Sequence, residues 1–332
     1  MNQFKKPETK SCPNILFVST FQAQFIESDF EILKEKFKVT KLSGNGLIHV
    51  LRLMLACFKH DIAFCWFAST YSSIVTLIMR TLHKKSIIVI GGVDIAKDEK
   101  LKYGIWINPW KALLVKQAIK LASVVIVQSE EINKRVKMLA NYDGKNIIIL
   151  PTAYDTNFWQ ISDKPKLNYI LTVALCNDKK RLLIKGIDIL LRTAEILSDF
   201  SFIIIGINDK VIKGWNIPSN VQVISAMERK SLLKYYQEAK IYCQPSRHEG
   251  MSNSLCEAML CGCIPVATDV GATRSVLNNT GFLVKPEDPA ELARALKLAM
   301  ELKADMSSIR KQVEKYTIVY RKEKLTEIIF SL

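Results

Sequence analysis

Residues 241–284 read IYCQPSRHEGMSNSLCEAMLCGCIPVATDVGATRSVLNNTGFLV. A short apolar strand pattern stops at Pro245 and a helix begins near Ser252, with Ser252 or Asn253 as its cap and Gly262 as its stop. Glu249 falls in the intervening loop and Glu257 eight positions later inside the helix, so both carboxylates can face one cleft. The loop and helix start, Gly250, Met251, Ser252, Asn253 and Ser254, present free backbone N–H groups and the positive end of a helix dipole, which suits a phosphate. Two acids beside an anion site make sense where they accept hydrogen bonds from neighbouring hydroxyls, as on ribose or a hexose. The combination implies a phosphate flanked by polyols, as in a nucleotide sugar. Two surface glutamates on an ordinary βα unit are the plainer reading, and the surrounding run argues against it.

That run, E-x7-E at Glu249 and Glu257 followed by PVAT-D-x-G from Pro265 to Gly271, resembles the donor-binding signature of family-4 retaining glycosyltransferases of the GT-B type (glycosyl transferases group 1). The resemblance implies an α/β fold of two doubly wound, Rossmann-like domains facing a central cleft. It also implies transfer of a hexosyl-type sugar (EC 2.4) from a nucleoside-diphosphate donor, UDP- or GDP-linked, with retention of anomeric configuration. In that family Glu249 would hold sugar hydroxyls and Glu257 the ribose.

Length and composition agree with two domains. The chain has 332 residues, 49% of them hydrophobic, more than one typical core and enough for buried parallel sheets. Its eight cysteines include no C-x-x-C pair and mostly sit in apolar runs, as small core residues of a reduced, cytoplasmic protein. The opening MNQFKKPETK is polar and no apolar run reaches membrane-span length, so neither a leader nor a spanning helix is expected. With no D-x-D triplet, no metal is expected and no metal ligands are assigned. The net charge of +15 is concentrated in residues 1–150, where 22 Lys and Arg face 12 Asp and Glu. Such a half suits an acidic surface, including anionic lipid at the inner membrane face; a merely soluble basic surface fits equally. Nucleic acid is not an expected partner, because no recognised binding module appears.

Along the chain, strand patterns at 14–20, 37–42, 61–67, 86–91, 123–128 and 146–150 alternate with helix patterns at 28–37, 47–59, 69–82 and 110–122, and Ser129 caps another. The rhythm predicts a parallel sheet. A second series starts at 168–174 and continues with strands at 202–206, 221–224, 241–244 and 264–268 and helices at 187–197, 228–239 and 289–303. By resemblance we place an acceptor-binding domain at 1–155, a donor-binding domain at 156–312 and a segment at 313–332 crossing back to the first; the run from Ile149 to Trp159 resembles the family's crossing between domains, which puts the linker at about 152–166.

Other candidates follow from position. Asp94, after Gly91 and Gly92 at a strand's carboxyl end, faces a substrate or caps the next segment; the family usually carries histidine where Gly91 stands. Tyr103, Trp106 and Trp110 suit sugar stacking or an interface, with burial the simpler account. Arg181 and Lys185 in a strand-to-helix loop suit a diphosphate, and the pair Lys185-Gly186 matches the resembling family, with Lys180 a rival to Arg181. Gly206 ends a strand at the cleft. His248 can touch phosphate or serve the loop's structure. Where the family has a second glycine and a glutamate after Gly271, this chain has Ala272 and Ser275. The acceptor would be a saccharide or a lipid-linked precursor of envelope polysaccharide. A degenerate donor-binding protein and a basic nucleic-acid-binding protein are the alternatives.

Overall fold

The computed structural model describes residues 12–332; the polar opening segment 1–10, and the leader reading made on it, lie outside them. The first half runs β1 (Asn14–Ser19), α1 (Gln24–Lys34), β2 (Lys38–Ser43), α2 (Gly46–Lys59), β3 (Ile62–Trp66), α3 (Thr70–Thr81), β4 (Lys85–Val89), a 3-10 turn (Ile105–Ile107), α4 (Pro109–Leu121), β5 (Val124–Val127), α5 (Glu130–Ala140) and β6 (Ile147–Ile149). The second runs β7 (Leu167–Cys176), α6 (Lys179–Ile184), α7 (Ile187–Ile196), β8 (Ser201–Ile207), α8 (Asp209–Ile212), β9 (Val221–Ile224), α9 (Arg229–Glu238), β10 (Ala239–Gln244), α10 (Asn253–Leu260), β11 (Ile264–Thr268), α11 (Thr273–Leu277), β12 (Phe282–Val284) and α12 (Pro289–Glu301), then α13 (Met306–Glu314) and α14 (Ile318–Ser331).

Each half is a six-stranded, wholly parallel sheet, ordered β2-β1-β3-β4-β5-β6 and β12-β11-β10-β7-β8-β9. Helices cover both faces, which is why the strands read as unbroken apolar runs rather than alternating ones. In the first sheet Leu16, Val18, Ala63 and Cys65 pack under α2 and α3, while Ile15, Phe17, Phe64 and Ile87 pack under α1 and α14. Two Rossmann-like units facing a central cleft constitute the GT-B fold.

Three boundaries differ from the sequence reading. The first helix starts at Gln24, not 28, because Ile26 is buried and Phe25 meets the Trp66 ring edge-on at 5.0 Å, drawing that turn into the core. The loop expected to carry Lys180 and Arg181 is the helix α6, capped by Asp178, whose Oδ1 accepts from the Arg181 N–H at 2.7 Å. Its run of cations hid the apolar positions Leu182 and Ile184, both buried. The single terminal pattern at 313–332 breaks in two, with Thr317 capping α14. Seven of the eight cysteines are buried free thiols and Cys12 is exposed. No helix among the described residues is long and apolar enough to cross a membrane.

Candidate active site

In the second sheet β7 lies beside β10, and the chain leaves β7 toward β8 on one side and returns through β10 on the other. The crevice at the carboxyl ends of two such strands is where open α/β sheets take ligands. Thr172 Oγ1 donates to the Cys243 carbonyl at 2.8 Å and ties the two strands. A small cavity opens there, lined among others by Thr172, Lys185, Gln244, Glu249 and Ser254.

Glu249 is the hub. Its Oε1 accepts from Lys185 Nζ at 2.6 Å and from Ser246 Oγ at 2.7 Å. The Lys185 and Glu249 side chains keep only 19% and 10% exposure, so the ammonium is held in place yet reachable. Lys185 reaches that position because Gly186 adopts a left-handed turn (φ +67°) against the next loop: a Cβ there would lie 1.9 Å from the Pro245 carbonyl oxygen. Arg247 anchors the other side of the loop, bidentate to Asp188 at 2.7 Å and bonded to Glu287 at 2.8 Å. These bonds from Asp188, outweighing the effect of partial burial, hold its guanidinium firmly charged.

Glu257 sits one helical turn below Ser254 on the same face of α10. Its Oε2 accepts from the Tyr236 hydroxyl at 3.3 Å. Burial raises its carboxyl to about 7, against opposing effects of Arg229 and Tyr236. Arg229 stacks on Phe158 and Trp159 at 4.5 and 4.9 Å, and its Nε is buried without a hydrogen-bond partner. The buried Tyr242 hydroxyl feels both carboxylates: burial raises its pKa, a bond with Ser254 lowers it, and Glu249 and Glu257 raise it further. Of the two acids, Glu249 lines the cavity beside the lysine, and Glu257 stands beside Tyr236, with Arg229 near it.

A carboxyl raised in the fold keeps its proton while the unfolded chain has lost it. Between the ordinary 4.5 and about 7, Glu257 therefore makes stability fall as pH rises. Comparing urea midpoints at pH 5 and pH 8, Glu257→Gln should flatten this component of the decline. An unchanged slope would mean that the group is not raised.

The helix start is partly committed. Ser252 caps α10, Ser252 and Ser254 hydroxyls lie 3.2 Å apart, and Asn253 Oδ1 accepts from the Tyr154 hydroxyl at 3.1 Å. Met251 packs against the core. From the first half, Gly92 meets Gly250 backbone to backbone: a Cβ on Gly92 would come within 2.8 Å of the Gly250 nitrogen. Above that contact His248 Nε2 bonds Asp98 Oδ2 at 2.7 Å, and the Tyr103 ring lies 5.5 Å from the imidazole. Lys180 Nζ bonds the Lys102 carbonyl at 2.5 Å, and burial raises the Tyr103 hydroxyl's pKa against the nearby Arg181 charge. Ser275, where the resembling family has glutamate, donates to Glu131 of the first half, with 2.8 and 2.6 Å to its two oxygens.

Asp94 is neither exposed to the cleft nor a helix cap. It is buried, accepting from the Gly91 N–H at 2.7 Å and the Ala68 N–H at 2.9 Å, and burial raises its carboxyl to about 7 against those bonds. It braces the glycine loop. The space that a side chain at Gly91 would need holds the Phe67 ring, 2.1 Å from an added Cβ. Trp106 is buried and donates to the Asp94 carbonyl at 2.7 Å, but Trp110 is 56% exposed, so burial explains the first tryptophan and not the second. Gly206 lies within β8 beside Ala174 rather than at its end.

Sequence reading missed Gln244, Arg229 and Tyr236. Gln244 is buried with neither amide atom hydrogen bonded, a donor and an acceptor beside the cavity. Its position immediately before Pro245 was the available signal. Nothing local in the sequence marks Arg229 or Tyr236, which reach Glu257 from α9. Among the described residues no group of three or more His, Cys, Asp or Glu is placed to hold a metal ion.

Residues 170–301 match the family model described as glycosyl transferases group 1. No curated protein matches the chain in sequence. Among solved structures, the sucrose-phosphate synthase of Thermosynechococcus elongatus is similar at 13% identity with a TM-score of 0.76, over 96% of this chain and 98% of that one. HepE of Anabaena, in complex with UDP and glucose, is similar at 15% identity and TM-score 0.76, over 96% and 99%. A glycosyltransferase of Rickettsia africae is similar at 15% identity and TM-score 0.70, over 96% and 98%.

Proposed function

We propose that the chain, which has a GT-B fold and whose residues 170–301 match glycosyl transferases group 1, is a retaining hexosyltransferase that draws a sugar from a nucleoside-diphosphate donor and passes it to a saccharide or lipid-linked acceptor. A UDP- or GDP-sugar is the donor and the setting is the cytoplasmic side of the envelope. The 1–155 and 156–312 segments are its acceptor and donor domains, with 313–332 returning to the first. The observation that carries this reading is the Lys185–Glu249 pair, 2.6 Å apart at the β7–β10 switch point beneath the start of α10.

The chemistry follows from the charges. As the bond from the anomeric carbon to the phosphate oxygen breaks, negative charge grows on the diphosphate. Lys185, Arg181 and the N–H groups at the start of α10 stabilise it. The acceptor hydroxyl attacks the same face of the sugar, and its proton passes to the departing phosphate oxygen. Glu249 orients the lysine and accepts from sugar hydroxyls, while Glu257 accepts from the ribose. Of the alternatives for the second cation, Arg181 is favoured because Lys180 is turned to Lys102. Asp94 acts as a positioning residue, holding Gly91 and Gly92 where the two halves meet.

Thermal-shift measurements with UDP-, GDP- and ADP-sugars test the donor. Stabilisation by one of them, reduced in Glu257→Ala, is expected; shifts with oligonucleotides only would overturn the reading. Retention is read from the anomeric configuration of the product by NMR, and an inverted product would reject it. The Phe67 ring standing where the family has histidine favours a second reading, a binding protein without turnover. Detectable transfer or donor hydrolysis rules that one out.

A further inference from the structure

Helices α2, α3 and α4 pack in that order over one face of the first sheet. The inner side of α2 is conventional: His49, Leu53 and Cys57 are buried. Its outer side is not. Leu47, Ile48, Leu51, Leu55 and Phe58 are 76, 71, 53, 68 and 63% exposed. At 100° per residue they form one apolar stripe, and Arg52 and Lys59 lie along one border of it. Helix α4 repeats the pattern with Trp110 and Leu113, 56 and 58% exposed, and Lys111 poised 5.5 Å from the Trp110 ring. Leu77 of α3, 53% exposed, belongs to the helix between them.

Exposed apolar side chains in such number mark a surface that meets something. Charge decides what. The three helices contain six Lys and Arg and no Asp or Glu. A second copy of the chain would bring cations against cations. An anionic bilayer instead offers phosphates to the lysines and arginines and an acyl boundary to Leu, Phe and Trp.

The geometry points to the outer face of α2 and α4 as a membrane-docking surface that lays the first domain on anionic phospholipid. It deepens the proposed function, giving the acceptor side of the cleft a fixed relation to a lipid surface, but it does not depend on the donor chemistry.

The experiment uses the full chain and sedimentation with vesicles of phosphatidylglycerol and phosphatidylcholine, against phosphatidylcholine alone. Wild type should bind the anionic vesicles selectively. Leu51→Gln with Leu55→Gln, and separately Arg52→Glu with Lys59→Glu, should each weaken binding by at least about tenfold. All four positions are exposed, and donor stabilisation measured without lipid should be unchanged in both variants. That readout keeps failure here separate from failure of the donor site. Equal binding by variants and wild type, or no binding to any vesicle, overturns the proposal. So does a concentration-dependent dimer that the leucine variant dissolves in a protein with no vesicle affinity.

Discussion

Lys185→Ala is expected to lower kcat by about 10²–10³-fold while leaving the fold intact, the loss typical of removing one donor from a developing oxyanion. The lysine side chain is partly open, and its ammonium contributes one bond to a carboxylate. Removing it therefore takes away charge from the leaving diphosphate more than it takes away packing. Glu249 would then stand beside a phosphate with no cation between them, which adds repulsion to the lost attraction. Lys185→Arg should rescue poorly, because a planar guanidinium does not fit the slot between Glu249 and the turn at Gly186. Lys180→Ala is the control, expected within about twofold of wild type, since that ammonium is exposed and tied to a backbone carbonyl of the first half. Single-turnover rates with the identified donor separate these variants. Similar losses for Lys180 and Lys185 would show that the diphosphate lies nearer α6 than the cavity.

What the sequence disclosed about this site was local. The strand-to-helix junction after Pro245, the Lys185-Gly186 pair and both glutamates are legible because each is a short run with turn chemistry of its own. The cluster's assembly is not, since it depends on β7 lying against β10, strands separated by more than sixty residues. Nor could periodicity show that Asp94 turns inward. A carboxylate after two glycines reads alike whether it meets a substrate or the Gly91 and Ala68 N–H groups. The α6 helix was masked by its cations, and Phe67 takes the place of a side chain at Gly91 through packing that no local pattern announces. Likewise the pattern at 47–59 marks α2 as a helix without showing that its exposed face is as apolar as its buried one.

The largest stability effect is expected far from the cleft. Arg321 of α14 and Asp29 of α1, each 1% exposed, form a fork at 2.5 and 2.6 Å. Trp66 Nε1 adds a third bond to Asp29 at 3.0 Å, and Arg321 also donates to the Leu150 and Pro151 carbonyls at 3.1 and 2.6 Å. The pair is well supported: the charges neutralise each other and Nη1 finds two carbonyls. Asp29→Ala leaves a guanidinium buried with only dipoles around it, at a cost of about 3–5 kcal/mol. Arg321→Met leaves a carboxylate buried with one indole bond, and should cost a similar amount. The double variant Asp29→Leu with Arg321→Met should be markedly less destabilised than the sum, because no orphaned charge survives. The pair also fastens α14 to the first half close to a second contact: Tyr154 N–H bonds the Tyr316 carbonyl at 2.9 Å, and Tyr154 bridges to Thr317. Loosening α14 should therefore weaken the Tyr154 contacts as well as lower the melting temperature. Hydrogen exchange at 315–332 should quicken in either single variant before exchange in the second sheet does. Additive single and double variants in a denaturation cycle would show that Asp29 and Arg321 do not act as a pair.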